Sequence, residues 1–325
     1  VNKRVLGQYF TIEDKWLKPH IVDFILKSEC DIVYDPFAGN GDIIQTITKR
    51  LRLKKCISLD IDKNLPHKIN DSLINIPPKE NAIIITNPPY LTNYSAKRRN
   101  IFQNVEKYFK ITDYHDLYLL ALENMLKAQE YVVAIIPETF INSSFKHKNR
   151  LYSITIIEED CFGDTETPIC VACFDERIKS FDEIKIYKNN TYLNNLGFFE
   201  KQRLKPKKNI NIIFNDKNGQ IALRAVDTTN PKNLIGFMHR KELDYNIDNI
   251  KNSSRSITIV KVKDLPNVKT GEFIKACNKI LYNFRTKTDD VLLSPFKNNM
   301  KNGKRRRRLD YKTARAIMEK AFIQV

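Results

Sequence analysis

Four short segments of this 325-residue chain hold residue types suited to chemistry, and three of them directly follow an apolar run. The first is Asp35-Pro36-Phe37-Ala38-Gly39-Asn40-Gly41, where two glycines let the backbone pass close to a ligand before a helix starts. It lacks both the dinucleotide GxGxxG and the P-loop GK[ST], so the expected ligand is small and need not carry phosphates. The second is Asp60-Ile61, in which a carboxylate at a strand end is placed to accept both hydroxyls of a ribose and Ile61 to cover one face of an adenine ring. The third, Asn70-Asp71-Ser72, offers Asp71 as an acceptor for an adenine amino group. The fourth is Asn87-Pro88-Pro89-Tyr90: a side-chain oxygen and a prolyl carbonyl held as acceptors in a rigid turn, followed by an aromatic ring.

The elements that must position these residues are legible in the apolar pattern. Residues 32–34, 55–59, 82–86, 131–136, 153–157, 169–174 and 184–187 read as seven strands, with helix-like stretches at 42–51 and 114–127 between them. Alternating strands and helices imply an α/β fold with a parallel, doubly wound sheet, and ligands of such sheets lie outside the carboxyl ends of the strands. The motifs sit at those ends. Two prolines at 88 and 89 cannot extend a central strand, so 82–86 must stop there.

Beyond residue 190 the pattern changes to short, charged segments, which divides the chain into a catalytic domain at 1–190 and a smaller mixed α+β domain at 191–325. Residues 210–214 and 220–226 flank Asn215-Asp216-Lys217-Asn218-Gly219 and are expected to form a β-hairpin. Residues 272–284 and 309–322 have helical spacing.

Charge separates the halves further. Through Asp175 there are 22 Lys and Arg against 23 Asp and Glu, and afterwards 33 against 15, on a chain whose net charge is +17. A neutral module joined to a strongly basic one suits catalysis joined to a polyanion grip. The densest run, Lys304-Arg305-Arg306-Arg307-Arg308, is expected in a loop, either solvated or contacting phosphates. The six cysteines show no framework spacing and are expected to be reduced thiols. Cys170 and Cys173 form a CxxC inside an apolar run, which reads as a buried strand rather than a zinc site; no metal is expected. No run reaches the roughly 18 apolar residues of a membrane helix, and no signal-like segment opens the sequence, so a cytoplasmic location is expected.

Asn87-Pro88-Pro89-Tyr90, together with the segment 35–41 and Gly7-Gln8-Tyr9-Phe10-Thr11, resembles the amino-methylating DNA methyltransferases that use S-adenosylmethionine, in the motif order that places the target-recognition domain last, as in type II-like restriction-modification systems. The resemblance covers roughly the first 175 residues by motif. It implies a Rossmann-like seven-stranded methyltransferase sheet, S-adenosylmethionine as cofactor and double-stranded DNA as partner. It further implies action as a monomer, with a cognate endonuclease, where there is one, acting separately. Tyr9, Phe10 and Thr11 would lie against the methionine end of the cofactor, and Phe162 would be a second aromatic for the target base.

The residue types agree with that chemistry. The exocyclic amine of adenine delocalises its lone pair into the ring and is a poor nucleophile. Accepting its two hydrogens at the Asn87 oxygen and the Pro88 carbonyl pulls it toward tetrahedral geometry. Tyr90 would stack on a base flipped out of the duplex. The same turn serves enzymes that methylate glutamine in release factors and some that methylate ribosomal RNA, while Asn rather than Ser at 87 favours adenine over cytosine N4. A DNA-binding regulator with a vestigial cofactor fold is the reading from another class, and the intact motifs speak against it.

Overall fold

A computed structural model describes residues 14–51, 55–159, 161, 167–243, 245–250 and 256–325. Two compact units divide the chain, one running to Gly197 and the other from Phe198 to Val325.

The first unit contains α1 (Pro19–Lys27), β1 (Ile32–Asp35), α2 (Asp42–Leu51), β2 (Lys55–Asp60), β3 (Lys68–Ile69), β4 (Ala82–Thr86), α3 (Asn93–Arg98), α4 (Phe102–Lys110), α5 (Leu117–Ala128), β5 (Val132–Pro137), β6 (Leu151–Ile157), β7 (Ile169–Phe174), β8 (Lys185–Lys188) and β9 (Thr191–Asn195). They form a single sheet in the order β3-β2-β1-β4-β5-β7-β6-β8-β9. The strands from β3 to β5 are parallel, and β7 runs antiparallel to both of its neighbours. All seven strands expected from the apolar pattern form. The sheet also gains β3 and β9, which the pattern did not show because Lys68–Ile69 is a two-residue exposed strand and Thr191–Asn195 is mostly polar.

Alternate residues of the central strands, among them Val33, Ile83, Ile85, Val133, Ile135, Val171 and Cys173, build one face of the core, against which Ile21, Phe24 and Ile25 of α1 and Ile43 and Ile47 of α2 pack. Pro19 opens α1, where its missing N–H costs nothing. Helix α5 buries nine of its twelve residues, so it is apolar nearly all round rather than amphipathic. Cys170 and Cys173 lie in β7 with no exposed surface, in agreement with the buried-strand reading.

Helix α6 (Leu196–Gln202) spans the point where the units divide. The second unit contains β10 (Ile212–Phe214), β11 (Ile221–Arg224), β12 (Gly236–His239), β13 (Ile257–Val262), α7 (Thr270–Thr288), β14 (Ser294–Asn299), β15 (Arg305–Arg308) and α8 (Tyr311–Phe322). Its main sheet is antiparallel in the order β10-β13-β11-β12. The expected hairpin therefore does not form: β13 inserts between β10 and β11, and Val260 and Val262 are drawn into the core there. Gly219 accommodates this insertion, since a Cβ at that position would lie 2.4 Å from the Val260 carbonyl.

Helices α7 and α8 pack on each other, with Phe273 and Phe322 edge to face at 6.3 Å. Asn278 of α7 exchanges both of its amide hydrogen bonds with the Phe237 backbone of β12, at 2.9 and 2.7 Å. Asp227, with no exposed surface, joins the rest: its carboxylate accepts from both terminal nitrogens of Arg285 at 2.9 Å, from Ile235 N at 2.8 Å and from Arg307 N at 3.0 Å. Four charge-assisted donors on one buried carboxylate compensate its desolvation.

Candidate active site

Strand β1 has β2 on one side and β4 on the other, so the chain reverses its direction of travel across the sheet at β1 and β4. Such a switch opens a crevice at the carboxyl ends. Asp35 ends β1 and is 1% exposed. Its Oδ1 accepts from Phe37 N at 3.0 Å and from the hydroxyl of Thr86, the last residue of β4, at 2.5 Å. Its Oδ2 is buried with no hydrogen-bond partner. Burial pushes the carboxyl up to about 7, the nearby charge of Asp60 adding to the rise and the bonds from Thr86 and Phe37 opposing it.

The turn after Asp35 is built for close approach. Gly39 and Gly41 have φ of +54° and +82°, a conformation that a side chain disfavours. Ala38 N donates to Leu59 O at 3.0 Å, tying the turn to β2. Gly39 is then held by both of its backbone groups. Its N–H donates to Asp60 Oδ2 at 2.8 Å, and its carbonyl lies 3.0 Å from His67 Nε2. A carbonyl only accepts, so His67 Nε2 carries the proton, and Nδ1, 2.8 Å from Ser58 Oγ, takes the hydroxyl proton when the ring is neutral. Sequence reasoning missed His67 and Ser58, because nothing in spacing brings a loop histidine back to a glycine carbonyl 28 residues earlier.

Asp60 is 6% exposed and has a structural task in addition to the expected ribose contact, with Oδ1 accepting from Asp62 N at 2.8 Å. Each oxygen keeps a second lone pair. Ile61 beside it is 50% exposed, open to a flat ring. Asn70 N bonds Asp60 O, which brings the next segment alongside. There Asp71 Oδ2 accepts from Lys107 Nζ at 2.8 Å and Tyr108 Oη at 3.0 Å, so helix α4 already engages the oxygen that was expected to meet an adenine amine. Ser72 is buried, its Oγ accepting from Asn70 Nδ2 at 2.9 Å and its carbonyl from Asn124 Nδ2 of α5 at 3.3 Å.

The Asn87–Tyr90 turn continues directly from the fully buried β4. Pro88 is buried, whereas Asn87, Pro89 and Tyr90 are half-buried. Tyr90 packs against the sheet core and its hydroxyl donates to Ile135 O of β5 at 2.8 Å, which fixes the ring's orientation. The chain leaves the turn along a second tether, Leu117 N to Leu91 O at 2.9 Å, at the start of α5. Strand order and the Thr86–Asp35 bond therefore bring together the segments 35–41, 58–62 and 86–90. Tyr9, Phe10, Thr11 and Phe162 lie outside the described residues. Among the described residues no group of His, Cys, Asp or Glu is arranged to hold a metal, and no helix is long and apolar enough to cross a membrane.

The residues present fit a compact cationic nucleoside derivative. A buried carboxylate with one oxygen unpartnered, beside a turn whose two glycines have positive φ, suits a positively charged centre, and Asp60 with Ile61 suits a nucleoside. S-adenosylmethionine has that chemistry.

In the second unit the arginine run corrects the sequence expectation. Residues 305–308 are strand β15, paired with β14 and bridged at Arg308 to Val226, not a loop. Strand alternation turns Arg305 and Arg307 inward, 7% and 1% exposed, which removes these two from the side chains available to phosphates. Arg306 and Arg308 are half-buried and Lys304 is exposed. The Arg306 guanidinium lies 4.8 Å over Phe296 and donates to Asp227 O at 2.7 Å.

The strand order with its antiparallel β7 is that of the Rossmann-like fold of S-adenosylmethionine-dependent methyltransferases, carrying smaller sheets in addition. Residues 42–162 match the family described as Eco57I restriction-modification methylase, and S-adenosylmethionine is the cofactor that a methylase of this fold implies. No curated protein gives a significant match. Among solved structures, the chain is similar to a Listeria monocytogenes protein described as a class I S-adenosylmethionine-dependent methyltransferase, with 12% identity over 55% of this chain and 65% of that one and a TM-score of 0.38. It is similar to the type I restriction-modification methyltransferase subunit of Streptococcus thermophilus, with 12% identity over 60% of this chain and 52% of that one and a TM-score of 0.38. It is also similar to the M protein of the type I restriction enzyme EcoKI, with 12% identity over 88% and 72% and a TM-score of 0.36. The chain spans less than two thirds of the first two. These likenesses are distant.

Proposed function

We propose that the protein is a DNA methyltransferase that transfers a methyl group from S-adenosylmethionine to the N6 amine of an adenine flipped out of the duplex. The observation that carries this reading is the bond from Thr86 to Asp35, which locks the amine-binding turn to the glycine turn at adjacent strand ends. Asn87 Oδ1 and the Pro88 carbonyl accept the two amine hydrogens, and Tyr90, fixed through Ile135, stacks on the extruded base. Asp35, Gly39, Gly41, Asp60 and Ile61 hold the cofactor, which when bound supplies a methyl group already activated by its sulfonium. With no strong base needed before attack, orientation and acceptor geometry supply most of the rate. Asn at position 87 supports adenine over cytosine N4. The C-terminal unit, carrying most of the excess positive charge, reads the target sequence; a separate cognate endonuclease, monomeric action and a cytoplasmic location belong to the same reading.

The test is transfer of labelled methyl from S-adenosylmethionine to duplex DNA, with the modified base identified. Asn87→Ala should lower transfer by about 10²–10³-fold while DNA binding stays nearly unchanged. Transfer only to RNA or to protein would overturn the substrate assignment, and full turnover by Asn87→Ala would overturn the amine site.

A further inference from the structure

The N-terminal half is neutral overall, but its charge is not evenly spread. Residues 91–110, which follow the Asn87–Tyr90 turn at once, hold five cations, Lys97, Arg98, Arg99, Lys107 and Lys110, against Glu106 alone. They form α3 and α4, and their roots are fixed. Thr92 caps α3 by accepting from Ser95 N at 2.9 Å, Asn93 N bonds His115 O at 2.8 Å, and Ala96, Val105 and Tyr108 are buried beneath.

Lys107 pairs with Asp71 at 2.8 Å and Lys110 with Glu106 at 3.3 Å. Lys97 and Arg98 of α3 differ. Lys97 lies 4.9 Å over Phe102, and the Arg98 guanidinium 6.0 Å from the Tyr94 ring, and a cation on a ring keeps its charge. Lys97, Arg98 and Arg99 are exposed, and Tyr94 is 68% exposed, one helical turn before Arg98. An exposed aromatic interleaved with cations suits a nucleic-acid strand, the cations meeting its phosphates and the ring one of its bases.

Position adds to composition. Tyr94 is four residues on from Tyr90, so their Cα atoms are at most about 14 Å apart, about four steps of a strand rising 3.4 Å per nucleotide. We propose that α3 and its C-terminal cap, through Tyr94, Lys97, Arg98 and Arg99, grip the DNA strand next to the flipped nucleotide and hold the distorted strand at the catalytic turn. This deepens the function proposed above and rests on it for the identity of the strand. It assigns DNA contact to the catalytic unit itself, in a half of the chain whose overall charge balance gave no hint of it.

The experiment compares the intact protein with Lys97→Ser/Arg98→Ser/Arg99→Ser, with Tyr94→Ala and with Arg98→Lys/Arg99→Lys. Anisotropy of a labelled duplex is followed from 50 to 200 mM salt, alongside cofactor binding and methyl transfer. The triple variant should lower the slope of log affinity against log salt by about 0.9 for each phosphate it no longer neutralises, two to three in all, with cofactor affinity unchanged. Tyr94→Ala should weaken duplex binding by about tenfold, and the lysine pair should keep the slope, separating charge from folding. If the intact protein methylates DNA and the triple variant keeps both its slope and its affinity, the grip is wrong and the methyltransferase reading stands. If binding and slope respond as expected but no methyl reaches DNA, the reading of the reaction fails while the grip survives. A response seen with RNA and not with duplex DNA would overturn the DNA assignment.

Discussion

The Thr86 hydroxyl donates to Asp35 Oδ1 across the β1–β4 boundary at 2.5 Å, joining the last residues of two adjacent strands inside the core. Each residue stands immediately before a functional turn, Asp35 before the glycines and Thr86 before Asn87. The two turns therefore cannot shift independently.

That bond leaves the second oxygen of Asp35 without a partner, and the consequence is measurable. With its carboxyl at about 7 in the folded protein against an ordinary 3.8, Asp35 binds more proton in the native state than in the unfolded chain throughout that interval. Its contribution to stability is therefore largest below about pH 4 and is lost as pH rises toward about 7, at up to about 1.4 kcal/mol per pH unit. Asp35→Asn keeps the shape and an acceptor for Thr86 but cannot ionise. From pH 5 to pH 7.5, the urea midpoint of the cofactor-free wild type should fall relative to that of the variant. Equal pH dependence in the two proteins would mean that Asp35 titrates normally.

How much of this site is legible in the sequence depends on whether a residue's partner is near along the chain. Asp35, Gly39, Asp60 and the Asn87–Tyr90 turn are legible because each sits where an apolar run stops, and strand ends are where an open sheet binds ligands. Thr86 reads only as the last β-branched residue of a strand, and its bond to Asp35 depends on β1 and β4 being neighbours, a fact of topology. The arginine run misleads for the opposite reason. Four successive arginines look solvated, yet β14, Val226 and the Asp227 carboxylate draw them into a ladder that buries every second one. Likewise 210–214 and 220–226 have the form of a hairpin, and a distant, better strand, β13, outcompetes their mutual pairing.

His67 should act as a positioning residue for the cofactor turn. It holds the Gly39 carbonyl from one side while Asp60 holds the Gly39 N–H from the other. Removing one such hydrogen bond costs about 0.5–1.5 kcal/mol, so His67→Ala should raise the KM for S-adenosylmethionine by about three- to tenfold with kcat at saturating cofactor nearly unchanged. His67→Gln, which keeps a donor, should recover part of the loss. A fall in kcat at unchanged KM would place His67 in the chemical step instead.

The alternation of β15 separates two roles within one run of like residues. Outward Lys304 and Arg308 remain accessible to phosphates, Arg306 is held by Phe296 and the Asp227 carbonyl, and Arg307 is sealed in the unit beside Asp227, to whose carboxylate its backbone N–H donates. Lys304→Ser with Arg308→Ser should lower the salt slope of duplex binding by about 0.9 for each phosphate left unneutralised, and keep the melting temperature within the small range of surface changes. Arg307→Ala should do the reverse: it opens a cavity where a large buried side chain stood, lowering stability by about 2–4 kcal/mol while the salt slope of the folded protein is kept. Salt titrations and melts on the same two preparations decide the matter. If Arg307→Ala flattened the slope at unchanged stability, the inward residue would be the one reaching phosphate, and the strand would have to present its other face to DNA.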